Sequence, residues 1–249
     1  MTRLPSSGPL AALVGLLLLG STAAGPAPHA GDLGIDAGPY LQDATPTSLW
    51  VCWETDGNGT NPTESRVNFG TDFTLSQTAT GNSVWSSVGT LLHKTQLAGL
   101  TPDTTYFFEV LSGNYHSVVS TLHTQPLAGD NEPWRFAAVS DTQRGNTAGI
   151  LREVIEDGII AYTQANYGPV VPEQLAFWLD CGDLVATGYS HSDWQNDFFA
   201  GADQLLRQVP LYPVLGNHEA NASLYFEYMQ LPNNGTPGFE EHWYTVDHQ

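Results

Sequence analysis

Three times between residues 135 and 219, a short apolar stretch runs directly into a polar cluster, and helix-like spacing fills both gaps. Residues 135–140 lead to Asp141-Thr142-Gln143, residues 175–179 to Gly182-Asp183, and residues 210–215 to Gly216-Asn217-His218-Glu219. In the first gap, residues 146–164 carry Ile150, Leu151, Val154, Ile155 and Ile159 at spacings that predict one helical face. In the second, residues 192–209 carry Trp194, Phe198, Leu205 and Val209, with Ser190 or Ser192 as the expected cap. A strand–helix–strand–helix–strand order predicts a parallel, buried sheet with right-handed crossovers. Ligand sites in such sheets form outside the carboxyl ends of the strands. Asp141, Asp183, Asn217 and His218 are therefore expected at one edge.

The preceding part of the chain reads differently. From Ile35 to about Thr124 the pattern is all-β: Ser48-Leu49-Trp50-Val51-Cys52-Trp53 alternates at period two, as does Arg66-Val67-Asn68-Phe69. Residues 104–111 and 116–123 flank Ser112-Gly113-Asn114, an expected hairpin turn. Residues 99–106 suggest a corner in which the Tyr106 hydroxyl bonds back to upstream backbone. Short strands at this spacing predict a β-sandwich. Residues 125–133 (QPLAGDNEP) form the expected boundary, dividing the chain into a sandwich over 31–124 and an α/β domain over 125–249.

Residues 1–30 have the form of an export signal and linker. Arg3 precedes an apolar run too short for a permanent membrane span, small residues follow it, and residues 25–31 are rich in Pro, Ala and Gly. A secreted or periplasmic protein without a stable membrane anchor is expected. Of 249 residues, 26 are acidic and 7 are Lys or Arg, for a net charge of −19. That balance excludes a nucleic-acid partner, which needs clustered basic groups, and docking on anionic lipid. A phosphate-binding site on so acidic a chain must bring its own positive charge, and metal ions are the obvious source. Cys52 and Cys181 are expected unpaired, as small core residues in different domains. Asn58, Asn221 and Asn234 begin sequons that matter only where the source glycosylates.

Each polar cluster alone has a plainer explanation: Asp141 as a helix cap, Gly182-Asp183 as a turn, His218 as a surface histidine. Their order and strand-end placement favour a metal site. Two carboxylates in one crevice repel unless a cation lies between them. Carboxylate, amide oxygen and imidazole together suit Mn, Fe or Zn. Asp-x-Gln/His, Gly-Asp and Gly-Asn-His-Glu on successive strands resemble the opening motifs of the calcineurin-like metallophosphoesterases. Gly38 to Gln42 and the sandwich behind it resemble the fibronectin type III-like domain that precedes purple acid phosphatases.

The resemblance implies an all-β sandwich followed by an incomplete αββα sandwich with two metal ions (Fe, Mn or Zn). It implies that Asp141 and Gln143 bind the first metal, Asp183 bridges both and Asn217 binds the second. His218 would stand beside the scissile phosphate of a small phosphate ester, and Glu219 would orient its neighbours. Where purple enzymes carry an iron-ligating tyrosine, this chain has Ala186, and Tyr189 lies out of register, so no purple colour is expected. The family's later histidine ligands have no counterpart: His242 and His248 fall at the wrong places, and His191 is expected to face solvent. The chain thus reads as a fragment, inactive by itself, with an apolar strand edge exposed near Trp243 and Val246. The expected function of the full protein is monoester hydrolysis. A phosphodiesterase or nucleotidase, or an inert half-site on a binding module, are the alternatives.

Overall fold

A computed structural model describes residues 34–129, 133–143 and 148–248. The export segment and the linker of residues 25–31 lie outside them. Nine strands come first: β1 Ile35–Gln42, β2 Ser48–Thr55, β3 Arg66–Gly70, β4 Gln77–Thr80, β5 Asn82–Trp85, β6 Leu91–Ala98, β7 Thr105–Ser112, β8 Tyr115–His116 and β9 Ser120–His123. They form two sheets, β1-β2-β6-β5 and β4-β3-β7-β8, with β9 also pairing β7. The expected single strand over residues 116–123 is in fact two, β8 and β9, and Ser117 lies between them with its hydroxyl bonded to the Val110 amide at 3.1 Å.

Period-two alternation places Leu49, Val51 and Trp53 of β2 against Val67, Phe69, Phe108 and Val110 in the sandwich core. The other face of β2 is not solvated: Cys52, with Trp50 at its margin, belongs to the core of the second half. Tyr40 and Leu92 do the same from β1 and β6. Tyr40 donates to the Tyr228 carbonyl at 2.7 Å and its ring lies 5.3 Å from Phe199. The middle of one sheet is therefore covered on both faces, by its partner sheet and by the following domain, while Val84 and Trp85 of its edge strand β5 stay exposed. The Tyr106 corner forms as expected, its hydroxyl accepting the Thr101 amide at 3.0 Å.

The second half is built on β10 Phe136–Val139, β11 Phe177–Asp180 and β12 Leu211–Pro213, parallel and in sequence order. The first crossover is helical from α1 (Ala148–Glu153) through a wider-wound π turn (Val154–Ile160) to α2 (Ala161–Asn166). The second runs from α3 (His191–Asp193) through a π turn (Trp194–Phe199) to α4 (Ala200–Leu206). Ser190 caps α3, accepting the Asp193 amide. The helix ends at Leu206, short of the expected Val209, because Pro210 disfavours helical geometry in the residue before it. A last short helix, α5, spans Ser223–Tyr228.

On one face of the sheet Trp178 stacks on Phe198 at 6.2 Å; on the other Phe177 meets Tyr212 edge-on at 5.7 Å. Trp194, Phe198, Leu205 and Val209 are all fully buried, as their spacing predicts. Removing a ring such as that of Trp194 would cost about 3–5 kcal/mol.

Several expectations fail here for identifiable reasons. Of the five apolar residues expected on one face of the first crossover, only Leu151 and Ile155 are buried, while Ile150 and Val154 are 60% and 43% exposed. Two rows at four-residue spacing compete for one face, and α4 covers only the row of Leu151 and Ile155. Cys181 is exposed rather than a core residue, because it follows the end of β11 where the chain leaves the sheet; Cys52 is buried, and both are free. His191 is only partly exposed, and it bonds Glu54 of β2 at 3.0 Å. Trp243 to Val246 forms no strand edge: Asn234 takes both backbone groups of Thr245, donating to its carbonyl at 2.8 Å and accepting its amide at 3.0 Å. Among the described residues no helix is long and apolar enough to cross a membrane.

Candidate metal centre

The three polar clusters leave the sheet at the same end, and hydrogen bonds join them directly. The Asp141 amide donates to the Gly182 carbonyl at 3.1 Å, and the Gln143 amide to the Asp183 carbonyl at 3.0 Å. Thr142 reinforces this seam, its hydroxyl donating to the Leu184 carbonyl at 3.0 Å. From the third loop, the His218 amide donates to Asp183 Oδ1 at 2.9 Å. Gln143 Nε2 reaches Asp183 Oδ2 at 3.5 Å. Asp183 is thus the hub: the first and third loops both terminate on it.

Backbone geometry is committed to the same purpose. Asp141 and Asp183 hold φ of 56° and 57°, a left-handed conformation that Asp tolerates better than most residues and that turns each side chain out of its strand. The loops approach so closely that a Cβ on Gly216 would fall 2.0 Å from Asp183 Oδ1. Gly182 holds φ 101°, and a Cβ there would come within 3.0 Å of the Gly216 backbone. Only glycine fits at either position.

Glu219 is fully buried beneath these loops. Its carboxylate accepts the amides of Asp183 (3.0 Å), Leu184 (2.8 Å), Val185 (3.2 Å) and Gly216 (2.7 Å). Four amides on one carboxylate leave it no free face, so Glu219 sets the path of two loops. Asn217 and His218 are exposed at the rim. His218 Nδ1 bonds the Ala186 carbonyl at 2.7 Å. That bond, with the nearby Asp183, Glu219 and Asp141 carboxylates, raises the pKa of the imidazole above the ordinary histidine value. Tyr189 turns away, its hydroxyl donating to the Ala220 carbonyl at 3.2 Å.

Asp180, the last residue of β11, was not singled out from the sequence. It is 1% exposed, and burial pushes its carboxyl up to about 8. An aspartate closing the apolar stretch Phe177-Trp178-Leu179 was the available signal. Its Oδ1 accepts the Gly182 amide at 3.2 Å, and Thr142 Oγ1 lies 3.4 Å from Oδ2. Beside Asp141 opens a cleft of about 280 Å³, walled by Ile150, Leu151 and Val154, which explains where the exposed row of α1 points.

The donor set fits a metal. Gln143 Oε1 is buried and makes no hydrogen bond, an acceptor costly to leave unpaired. Asp141 and Asp183 supply carboxylates, and Asn217 a second amide oxygen. Among the described residues no three His, Cys, Asp or Glu side chains converge as a metal site, since half of these donors are amides. Neither His242, against Phe226 at 4.7 Å, nor His248, against Trp134 at 4.8 Å, joins the loops.

Comparison with known proteins bears on both halves of the chain. The model of the purple acid phosphatase N-terminal domain matches residues 39–124, and that of the calcineurin-like phosphoesterases matches residues 135–247. No curated protein matches. Among solved structures, purple acid phosphatase PPD1 from yellow lupin (Lupinus luteus) seeds is 16% identical with a TM-score of 0.61, over 84% of this chain and 42% of that one. PhoD is 15% identical with a TM-score of 0.50, over 87% of this chain and 48% of that one. The chain thus spans less than half the length of either, and at such identities the likeness is one of fold. The chain carries a purple acid phosphatase N-terminal domain followed by a calcineurin-like phosphoesterase domain, domain families that use divalent or two-metal centres.

Proposed function

We propose that the protein hydrolyses phosphate monoesters of small molecules, outside the cytoplasm, with the strand-end loops holding two metal ions. The observation that carries this reading is the convergence of all three loops on Asp183. Asp141 and Gln143 would hold one ion, Asn217 the other, and Asp183 both. Bound ions would supply the positive charge that a chain of net charge −19 lacks, and would acidify the attacking water. The sandwich over 31–124 and the phosphoesterase domain over 125–249 are the units of this reading.

His218 has the proton-handling role. Its Nδ1 is committed to the Ala186 carbonyl, so Nε2 is the nitrogen available to a phosphate oxygen. A raised pKa keeps that nitrogen protonated further toward neutrality, as donation to a leaving oxygen requires. Glu219 acts through position, keeping the Asp183 and Gly216 amides where the ligand loops need them. The exposed rim, with His218 and Asn217 open to solvent, supports a compact ester.

The test is turnover of a chromogenic phosphate monoester against the corresponding diester, with Mn, Zn or Fe added, alongside metal stoichiometry. Monoester preference and two metals per chain are expected. His218→Asn should lower turnover while leaving metal content unchanged. A diester preference would move the reading to a phosphodiesterase, and metal content without hydrolysis would leave a binding module.

A further inference from the structure

We propose that the cleft at Gln125, Trp134 and His248, between the sandwich and the parallel sheet, binds one ring of a neutral sugar or polyol. This site shares no residue with the metal centre. It is walled by Asp103 and His123 from the sandwich, Gln125 from the connection, and Trp134, Arg135, Glu173 and His248 from the second half.

Two buried polar groups in this one cleft lack partners. Gln125 is 5% exposed, yet its Nε2 makes no hydrogen bond, and neither does His248 Nδ1. Each buried group left unpaired costs about 1–3 kcal/mol, and two lining one opening point to a ligand that pairs with both. Beside them stands an aromatic surface. Trp134 is 45% exposed although its ring is braced against Phe177 at 5.6 Å and His248 at 4.8 Å. A braced, half-open indole is a platform for the C–H face of a ring.

Charge selects the class. Asp103, Glu173 and Arg135 all line the cleft, the Arg135 guanidinium lying over the Tyr167 ring at 4.1 Å, while His123 Nε2 already bonds Asp103 at 3.0 Å and Thr105 donates to Glu173 at 2.7 Å. An anion entering here meets two carboxylates, and a cation meets a guanidinium. Hydroxyl groups suit both sets: they donate to the carboxylates and accept from Gln125 Nε2. The volume, about 160 Å³, is below the roughly 300–1,000 Å³ of pockets for drug-sized ligands, which limits the occupant to one small ring. A terminal sugar of a polymer or glycan meets every condition.

The experiment is saturation-transfer NMR on the whole chain with glucose, galactose, N-acetylglucosamine and myo-inositol, and with methylammonium and inorganic phosphate as charged probes. Millimolar binding of at least one neutral ring is expected. Gln125→Leu and Trp134→Ala should each weaken it about tenfold, the worth of one good contact. Gln125→Glu keeps the side-chain shape and removes the donor, so it should weaken binding with an unchanged near-ultraviolet spectrum. Undiminished binding in Gln125→Glu overturns the assignment. Transfer from methylammonium or phosphate alone shows the class to be wrong. No transfer from any probe leaves the two orphan groups to water and ends the proposal.

Discussion

In the sandwich, His93 is fully buried, stacked on Trp53 at 4.9 Å and bonded to Thr55 at 3.1 Å and Ser65 at 2.9 Å. In the parallel sheet, His218 stands exposed at a strand end with one ring nitrogen bonded to a carbonyl. The first is a satisfied core group, its pKa lowered to about 4 by burial. The second has its pKa raised by a hydrogen bond and three carboxylates, and keeps a nitrogen open. Carboxylates divide similarly. Glu54 is enclosed between the halves by His191, Gln195, Tyr228 and Thr90, whereas Asp141 is exposed beside a cleft. His93 and Glu54 complete a structure. The polar groups at the ends of the parallel strands are left incomplete, and that incompleteness is what a ligand can use.

The strongest way to break this contrast is Glu219, which is structural though it sits in the second half. Glu219→Ala should cost roughly 3–5 kcal/mol, because four amides lose their acceptor in the interior. Urea denaturation measures this. A cost below 1 kcal/mol, about that of one ordinary hydrogen bond, would mean the loops hold themselves.

Next in size is metal affinity. Asp183→Ala should weaken divalent metal binding by about a hundredfold, nearly 3 kcal/mol, and Gln143→Ala by less. Asp183 is met by both neighbouring loops, Gln143 by one. Isothermal titration with Mn or Zn decides it, and the reverse order would refute a bridging role for Asp183.

The two halves should also respond to pH with opposite sign. Asp180 is raised from 3.8 to about 8, so it binds its proton in the folded state where the unfolded chain has released it. Its contribution is fully present below pH 3.8 and is lost as pH rises through about 8, at about 1.4 kcal/mol per pH unit. His93 is lowered from 6.5 to about 4, so its contribution is present above 6.5 and lost as pH falls through about 4. In metal-free protein, Asp180→Asn should flatten the decline of stability between pH 6.5 and 8 and, between pH 4 and 6.5, unmask the rise that His93 supplies. An unchanged alkaline slope would place its source elsewhere.

Smaller effects sharpen the comparison. Tyr106→Phe removes the corner bond to Thr101 and should cost about 1 kcal/mol in thermal denaturation, without touching metal binding. His191 joins the halves, and its bond to Glu54 raises its pKa above 6.5. Its stabilisation is therefore full below pH 6.5 and fades as pH rises through that raised value. His191→Gln should lose this slight dependence. A variant as pH-sensitive as the parent would detach His191 from Glu54.

Much of this architecture follows from the sequence alone, because periodicity and turn chemistry are local. Alternation in Ser48–Thr55 marks a strand, Trp194, Phe198 and Leu205 mark a buried helical face, and glycines at 182 and 216 mark sharp turns. The order of three strand-end clusters was enough to expect Asp141, Asp183, Asn217 and His218 at one edge, since parallel strands put their carboxyl ends together. Only the tertiary structure decided which of two adjacent rows in the first crossover is buried, since that depends on where α4 lies across it. It alone placed His191 on Glu54 and gave the even-numbered face of β2 a second core to fill. It also made Glu219 the acceptor for two loops and left Gln143 Oε1 without a partner. Such pairings join residues far apart in the chain, and no local spacing records which distant surface will cover a side chain.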